Sequence, residues 1–294
     1  MHKSILVTGG NGQLGNELRE LSVLYSNCTF TFIGRSELDF SNSEAIQAWF
    51  VDKTFDVIIN CAAYTAVDKA ESEPALAREI NTTAIATLAH IAKEKNNSLI
   101  HISTDYVFNG NNFKPYSETD PTNPQGVYGQ TKLDGEQAML AINPANSIII
   151  RTSWVYSSFG NNFVKTMLRL GKEREELGVI YDQVGTPTFA RDLAQAIMSI
   201  IQHPALNAQK GTEIYHFSNE GVCSWYDFAK AIFEYSEIAC IVKPIETKDY
   251  PTPAKRPHYS LLNKAKIKNT FGITIPYWKD SLQECLDILK GNKQ

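Results

Sequence analysis

The chain has 294 residues, enough for one large domain, or a domain with a lobe, around a sizeable core. Hydrophobic residues make up 43%, charged residues 20%, and the formal net charge is −4. That balance gives no electrostatic case for nucleic acid or an anionic membrane, so a phosphate-bearing ligand must be held by local groups. Five scattered cysteines (Cys28, Cys61, Cys223, Cys240 and Cys285) form no CxxC pair and argue against a disulfide framework or a zinc site. The six histidines have no ligand spacing. The chain starts directly on a strand-like run, without a signal-like segment, and no apolar run approaches the roughly 18 residues of a membrane span. A cytoplasmic location, with no nucleic-acid or membrane partner, is therefore expected.

Ser4–Thr8 reads as a buried strand, followed by a glycine-rich turn and an amphipathic helix over Leu14–Leu24. Thr29–Ile33 reads as a second strand, Ser43–Phe50 as a helix and Asp56–Asn60 as a third strand. Pro74–Lys95 has helical periodicity, with Leu76, Ile80, Ala84, Leu88 and Ile91 on one face. Leu99–Ser103 is a fourth strand, Tyr128–Leu140 a helix and Ser147–Arg151 a fifth strand. Short, fully apolar strands alternating with helices predict a parallel sheet covered on both faces, a doubly wound α/β fold of Rossmann type. Further on, Asn162–Lys172, Arg191–Gln202 and Ser224–Glu234 read as helices and Glu213–Phe217 as a strand. Tyr250–Pro257 is a stiff, proline-rich loop. The expected division is a dinucleotide-binding domain of residues 1–152 plus 187–220, and a smaller, largely C-terminal substrate lobe of residues 153–186 plus 221–294. That lobe would close over the carboxyl ends of the strands, where ligands of open α/β sheets bind.

Between the first strand and its helix lies Thr8-Gly9-Gly10-Asn11-Gly12-Gln13-Leu14-Gly15. It fits both GxGxxG and, as Gly9, Gly12 and Gly15, GxxGxxG. Glycines there bring backbone N–H groups against a pyrophosphate at a helix N-terminus. The pattern is weak alone, but the flanking strand and helix are what it requires. The second strand ends in Ile33-Gly34-Arg35-Ser36. Arg35 and Ser36 suit the 2′-phosphate of NADPH. Asp39, slightly later, could serve a ribose, which leaves NADH usable as well.

Ser103-Thr104-Asp105-Tyr106 follows the fourth strand, and Tyr128-Gly129-Gln130-Thr131-Lys132 opens the next helix. Residues four apart share a helix face, so Tyr128 and Lys132 are neighbours. A free phenol, with a pKa of about 10, is a poor acid–base group near neutrality. A nearby ammonium is expected to lower it, making Tyr128 a usable proton donor to a ketone. Thr104 can give the same oxygen a second hydrogen bond. A second YxxxK, Tyr226 to Lys230, lacks this context and reads as an ordinary amphipathic helix.

On these residues the chain resembles the extended short-chain dehydrogenase/reductase superfamily and, within it, the dTDP-4-dehydrorhamnose reductase family. The resemblance also runs through Asn60 to Glu71 (NCAAYTAVDKAE), Ser103 to Phe108 (STDYVF), Arg151 to Tyr156 (RTSWVY), Gly160 to Phe163 (GNNF) and the Tyr250 to Pro257 loop (YPTPAKRP). It implies an enzyme that uses NADPH or NADH to reduce the C4 ketone of a dTDP-sugar. Tyr128 would be the acid, Lys132 its electrostatic partner and Thr104 the tuning hydroxyl. Gly12, Gln13 and Leu14 would touch the cofactor pyrophosphate, Asp39 and Phe40 the adenosine, and Ala63, Tyr64 and Thr65 the rest of the cofactor. Thr104, Asp105 and Trp154 would contact the deoxysugar, and Asn162 and Arg256 the pyrophosphate or nucleotide. The resemblance also implies Mg²⁺ joining a homodimer through glutamates, yet Arg191 stands where a glutamate is expected. Two rivals share these motifs. One is a sugar-nucleotide epimerase or dehydratase, the latter usually carrying a second carboxylate where Tyr106 stands. The other is a non-catalytic subunit like the regulatory partner of methionine adenosyltransferase.

Overall fold

The computed structural model describes residues 2–291. Its centre is a six-stranded, wholly parallel sheet. The strands are β1 (Lys3–Thr8), β2 (Cys28–Ile33), β3 (Val57–Asn60), β4 (Ser98–Thr104), β5 (Ser147–Thr152) and an edge strand, Thr212–His216. Across the sheet they run Thr212–His216, β5, β4, β3, β1, β2. After β1 the chain goes to β2 on one side and returns to β3 on the other. The order therefore reverses beside β1, opening a crevice at its carboxyl end.

The apolar runs behave as their lack of alternation requires. Ile5, Leu6 and Val7 have no exposed surface, nor do Ile148, Ile149 and Ile150. One face of the sheet packs Ile5, Val7, Ile148 and Ile150 against Leu14 and Leu18 and the helix Ala190–Gln202. The other packs Leu6, Ile58, Leu99 and Ile149 against Ile46, Leu88 and Met139. Asn42 caps its helix by accepting from the Ala45 N–H, and Asn96 and Asn143 end theirs at φ 55°.

The helix expected over Pro74–Lys95 is interrupted. Pro74–Arg78 and Ala84–Lys95 are α-helical, but Glu79–Thr83 is a π-turn. Its buried Asn81 explains the extra residue. The side-chain oxygen accepts from the Tyr64 N–H at 2.9 Å, and the amide nitrogen donates to the Tyr64 carbonyl at 3.1 Å and to Thr131 Oγ1 at 3.2 Å. The bulge turns a core-facing position into a clamp on the segment after β3.

A second core lies beside the sheet, around Tyr156, Val164, Phe189, Phe228, Phe233, Trp278 and Leu282. It contains elements absent from the reading above. Strand Glu176–Ile180 pairs in parallel with Ile241–Ile245, and helices Ala265–Phe271 and Trp278–Gly291 close the chain. Ile267, Phe271 and Ile275 pack back onto the sheet's own core. Among the described residues, no helix is long and apolar enough to cross a membrane.

Candidate active site

A cleft of about 880 Å³ opens at the carboxyl end of β1, where the strand order reverses. Gly9, Gly12, Gln13 and Leu14 line it from the glycine loop, Arg35, Asp39 and Phe40 from beyond β2, and Ala63, Tyr64 and Thr65 from beyond β3. Thr104, Asp105, Tyr128, Lys132 and Trp154 line its other end. Segments distant in the chain thus converge on one space.

The loop conformation follows from its glycines. Gly9 has φ 64°, and a Cβ there would lie 2.7 Å from the Ala62 nitrogen and the Cys61 carbonyl carbon. Gly12 caps the helix Gln13–Ser22 with no side-chain hydrogen bond, so the helix's first N–H groups stay open to the cleft. Gly15 does not line the cleft; it lets the helix lie directly on the loop backbone at Gly9 and Gly10. Beyond β2, Arg35 is largely exposed and only 3.9 Å from the Asp39 carboxylate. Asp39 accepts from the Ser41 N–H and hydroxyl, which holds its acidity stronger than usual.

Tyr128 and Lys132 sit one turn apart on the helix Val127–Ile142. Glu71 accepts from the Val127 N–H at 2.8 Å, capping this helix from outside. Gly129 lets the helix rest against the Tyr106 carbonyl. The electrostatics differ from the expected pattern. Burial pushes the Tyr128 phenol up to about 12, the nearby Thr104 hydroxyl opposing and the Asp105 charge adding to the rise. Burial also pulls Lys132 down to about 8, with Glu136 opposing. The Lys132 amine donates to the Ile102 carbonyl at 2.6 Å and lies 3.3 Å from His101 Nε2. Burial dominates both groups, and Lys132 is not among the causes that set the phenol.

Thr104 Oγ1 donates to Asp105 Oδ1 at 3.0 Å. The other carboxylate oxygen of Asp105 is buried without a partner, and burial pushes this acid up to about 7. Trp154 adopts φ 48°, unusual for a bulky side chain, and its ring stacks 3.7 Å from that of Trp225. Strain of this kind persists only where the surroundings enforce it.

Asn162 and Arg256 stand back from the cleft lining. Asn162 caps the helix Phe163–Glu173 and donates to Gln13 Oε1 at 2.9 Å. Arg256 pairs with both oxygens of Asp68, at 3.1 and 2.7 Å, while Asp68 also accepts from the Ala254 N–H. Asp68 and Glu71, three positions apart in one short motif, thus tie down the proline-rich loop and the Tyr128 helix. Tyr226 and Lys230 of the second YxxxK lie on the helix Trp225–Tyr235, beside the second core, and neither lines the cleft.

Four cleft or near-cleft residues went unread. Tyr106 packs edge-on against Tyr128 at 5.4 Å, Trp225 backs Trp154, Asn81 clamps Tyr64 and His101 meets Lys132. Only Tyr106 had a signal, its place in the Ser-Thr-Asp-Tyr motif. The residues present do not fit the Mg²⁺ that the resemblance implies. Arg191 lies 3.9 Å from the Glu17 carboxylate and 3.6 Å from that of Glu284, and a guanidinium there repels a divalent cation. Among the described residues, no group of three His, Cys, Asp or Glu gathers to hold a metal.

The family described as "RmlD substrate binding domain" matches residues 2–290. A dTDP-4-dehydrorhamnose reductase of Escherichia coli K12 is 44% identical, covering 97% of this chain and 98% of its own. Its counterpart in Aggregatibacter actinomycetemcomitans is 42% identical, covering 95% and 97%. Among solved structures, a dTDP-4-dehydrorhamnose reductase of Clostridium acetobutylicum superposes with a TM-score of 0.92 at 43% identity, covering 98% and 99%. One from Bacillus anthracis, in complex with NADP, gives 0.91 at 38%, covering 98% and 100%. Matched over nearly its whole length in both sequence and fold, the chain belongs to the dTDP-4-dehydrorhamnose reductase family of NAD(P)-dependent oxidoreductases.

Proposed function

We propose that the chain reduces the C4 ketone of dTDP-4-dehydro-β-L-rhamnose to give dTDP-β-L-rhamnose, with NADPH as its preferred reductant and Tyr128 as proton donor. The observation that carries this reading is the convergence of Thr104, Tyr128 and Lys132 with the glycine loop on one cleft. NADPH, when bound, supplies the hydride.

The chain's own residues supply the rest. The open N–H groups at Gln13 and Leu14 hold the pyrophosphate, and Arg35 meets the 2′-phosphate. A phenol raised to about 12 is fully protonated near neutrality, the state a donor must start from. Thr104 directs its hydroxyl to the ketone oxygen whenever Asp105, at about 7, carries a proton and needs no donor. Asp105, lining the same end of the cleft, contacts the deoxysugar. Trp154, backed by Trp225, forms a flat wall for the deoxysugar. Asn162 and Arg256 flank the nucleotide diphosphate, each preorganised by its protein partner.

The deciding experiment mixes pure protein, NADPH and enzymatically made dTDP-4-keto sugar. NADPH should be consumed one for one with the reduced sugar. An epimerised product without net NADPH loss would make the chain an epimerase. Stoichiometric capture of a synthetase without ketone reduction would make it a regulatory subunit. Arg35→Ala should weaken NADPH by about tenfold, the order of one lost charge-assisted contact, and leave NADH nearly unchanged. Equal loss for both cofactors in a direct binding titration would remove Arg35 from phosphate recognition.

A further inference from the structure

A row of polar side chains runs beneath the cleft. Thr8, Asn60 and His101 are register neighbours across β1, β3 and β4, so their side chains share one face of the sheet. The Thr8 hydroxyl donates to Asn60 Oδ1 at 2.6 Å. Asn60 Nδ2 donates to the Ala62 carbonyl at 3.3 Å and lies 3.0 Å from His101 Nδ1. Both of these partners fix the orientation of the amide. An amide nitrogen offers only hydrogens, so His101 Nδ1 must accept, and the imidazole proton resides on Nε2.

Nε2 faces the Lys132 nitrogen at 3.3 Å. An ammonium has three donors and no lone pair, so Nε2–H against it would set donor against donor. An uncharged amine accepts that proton and still donates to the Ile102 carbonyl. In this geometry both groups are buried, His101 at 0% and Lys132 at 1% exposed.

We propose that His101 is a positioning residue for Lys132: its Nε2–H donates into the lone pair of an uncharged Lys132 amine and holds that amine back from Tyr128 until the lysine takes up a proton. The inference deepens the reading above and rests on Lys132 serving Tyr128. The charged and titratable groups around Lys132 are His101 from β4, Asp105 from the turn after it, and Tyr128 and Glu136 from its own helix. Arg151 from β5 stands behind Glu136 and neutralises it. Burial keeps His101 far below its usual range, so it stays neutral, and brings Lys132 to about 8. Below that pH the lysine is charged, is repelled by the imidazole N–H and turns toward the cleft and the phenol. Above it the amine returns to His101, and ketone reduction falls.

The test uses the intact protein, labelled with ¹⁵N-histidine and ε-¹³C-lysine, with His101→Gln and Lys132→Arg assigning the two signals. In the wild type, His101 should be neutral with its proton on Nε2, and Lys132 should titrate near pH 8. Asn60→Asp places an acceptor against Nδ1, moves the imidazole proton there and turns the Nε2 lone pair toward the lysine. The Lys132 midpoint should then rise by about one pH unit or more, and the alkaline limb of kcat/KM should move with it. A wild-type His101 with its proton on Nδ1 would overturn the proposal. So would an unchanged Lys132 midpoint in a folded Asn60→Asp. If that variant does not fold, the wild-type tautomer alone decides. These spectra need no turnover, so a chain that reduces no ketone would sink the proposed function without touching this result.

Discussion

Tyr128→Phe is expected to lower ketone reduction by about 10²–10⁴-fold, the range a positioned proton donor contributes. The ring packs edge-on against Tyr106 at 5.4 Å, a contact phenylalanine keeps, so the fold and the cleft should persist. NADPH binding, measured by direct titration, should change little, because the glycine loop and Arg35 are untouched. The loss should therefore appear in kcat far more than in KM. A variant turning over within a few-fold of wild type would show that the proton comes from elsewhere, with Asp105 and Lys132 the cleft groups brought nearest neutrality.

Arg151→Met is expected to cost about 3–5 kcal/mol of stability, the largest loss from any single side chain discussed. Arg151 meets Glu136 through Nε at 3.0 Å and Nη2 at 2.6 Å, and the side chains are only 3% and 1% exposed. Ser103 adds a hydrogen bond to the same carboxylate, immediately before Thr104 on β4. Methionine fills much of the space but strands the Glu136 charge, and desolvation then has no compensation. The paired change Arg151→Met with Glu136→Leu removes both charges and should recover most of the loss. Urea unfolding of wild type, single and double variants measures this. A double variant as unstable as the single would mean that packing, including Arg151 over the Phe108 ring at 5.1 Å, dominates rather than stranded charge.

How far the chain can be read without coordinates depends on how local each signal is. The β1–β5 runs of Ile, Leu and Val declare themselves because a strand buried on both faces cannot alternate. The strand pair of the second core does not. Glu176–Ile180 buries only Leu177 and Val179, Ile241–Ile245 contains Pro244, and their pairing joins segments some sixty residues apart. Tyr128 and Lys132 were legible because a single helical turn relates them. Their ionisation was not, because neither burial nor the backbone carbonyl that accepts the lysine's hydrogen bond is written in the local pattern. Arg256 stands out in the sequence as an arginine on a stiff loop, but that Asp68 holds it, 188 residues away in the chain, only the fold shows.

By itself the amino-acid order determined the sheet, the glycine turn, the Thr–Tyr–Lys set and the family, since each depends on residues close in the chain or on whole motifs. The tertiary structure alone decided which partner each charged side chain finds: Asp68 for Arg256, Glu136 for Arg151, and Glu17 with Glu284 for Arg191. It alone lined up Thr8, Asn60 and His101 beneath Lys132. Those choices follow from strand register and from desolvation, and both come into being only when distant segments exclude water together.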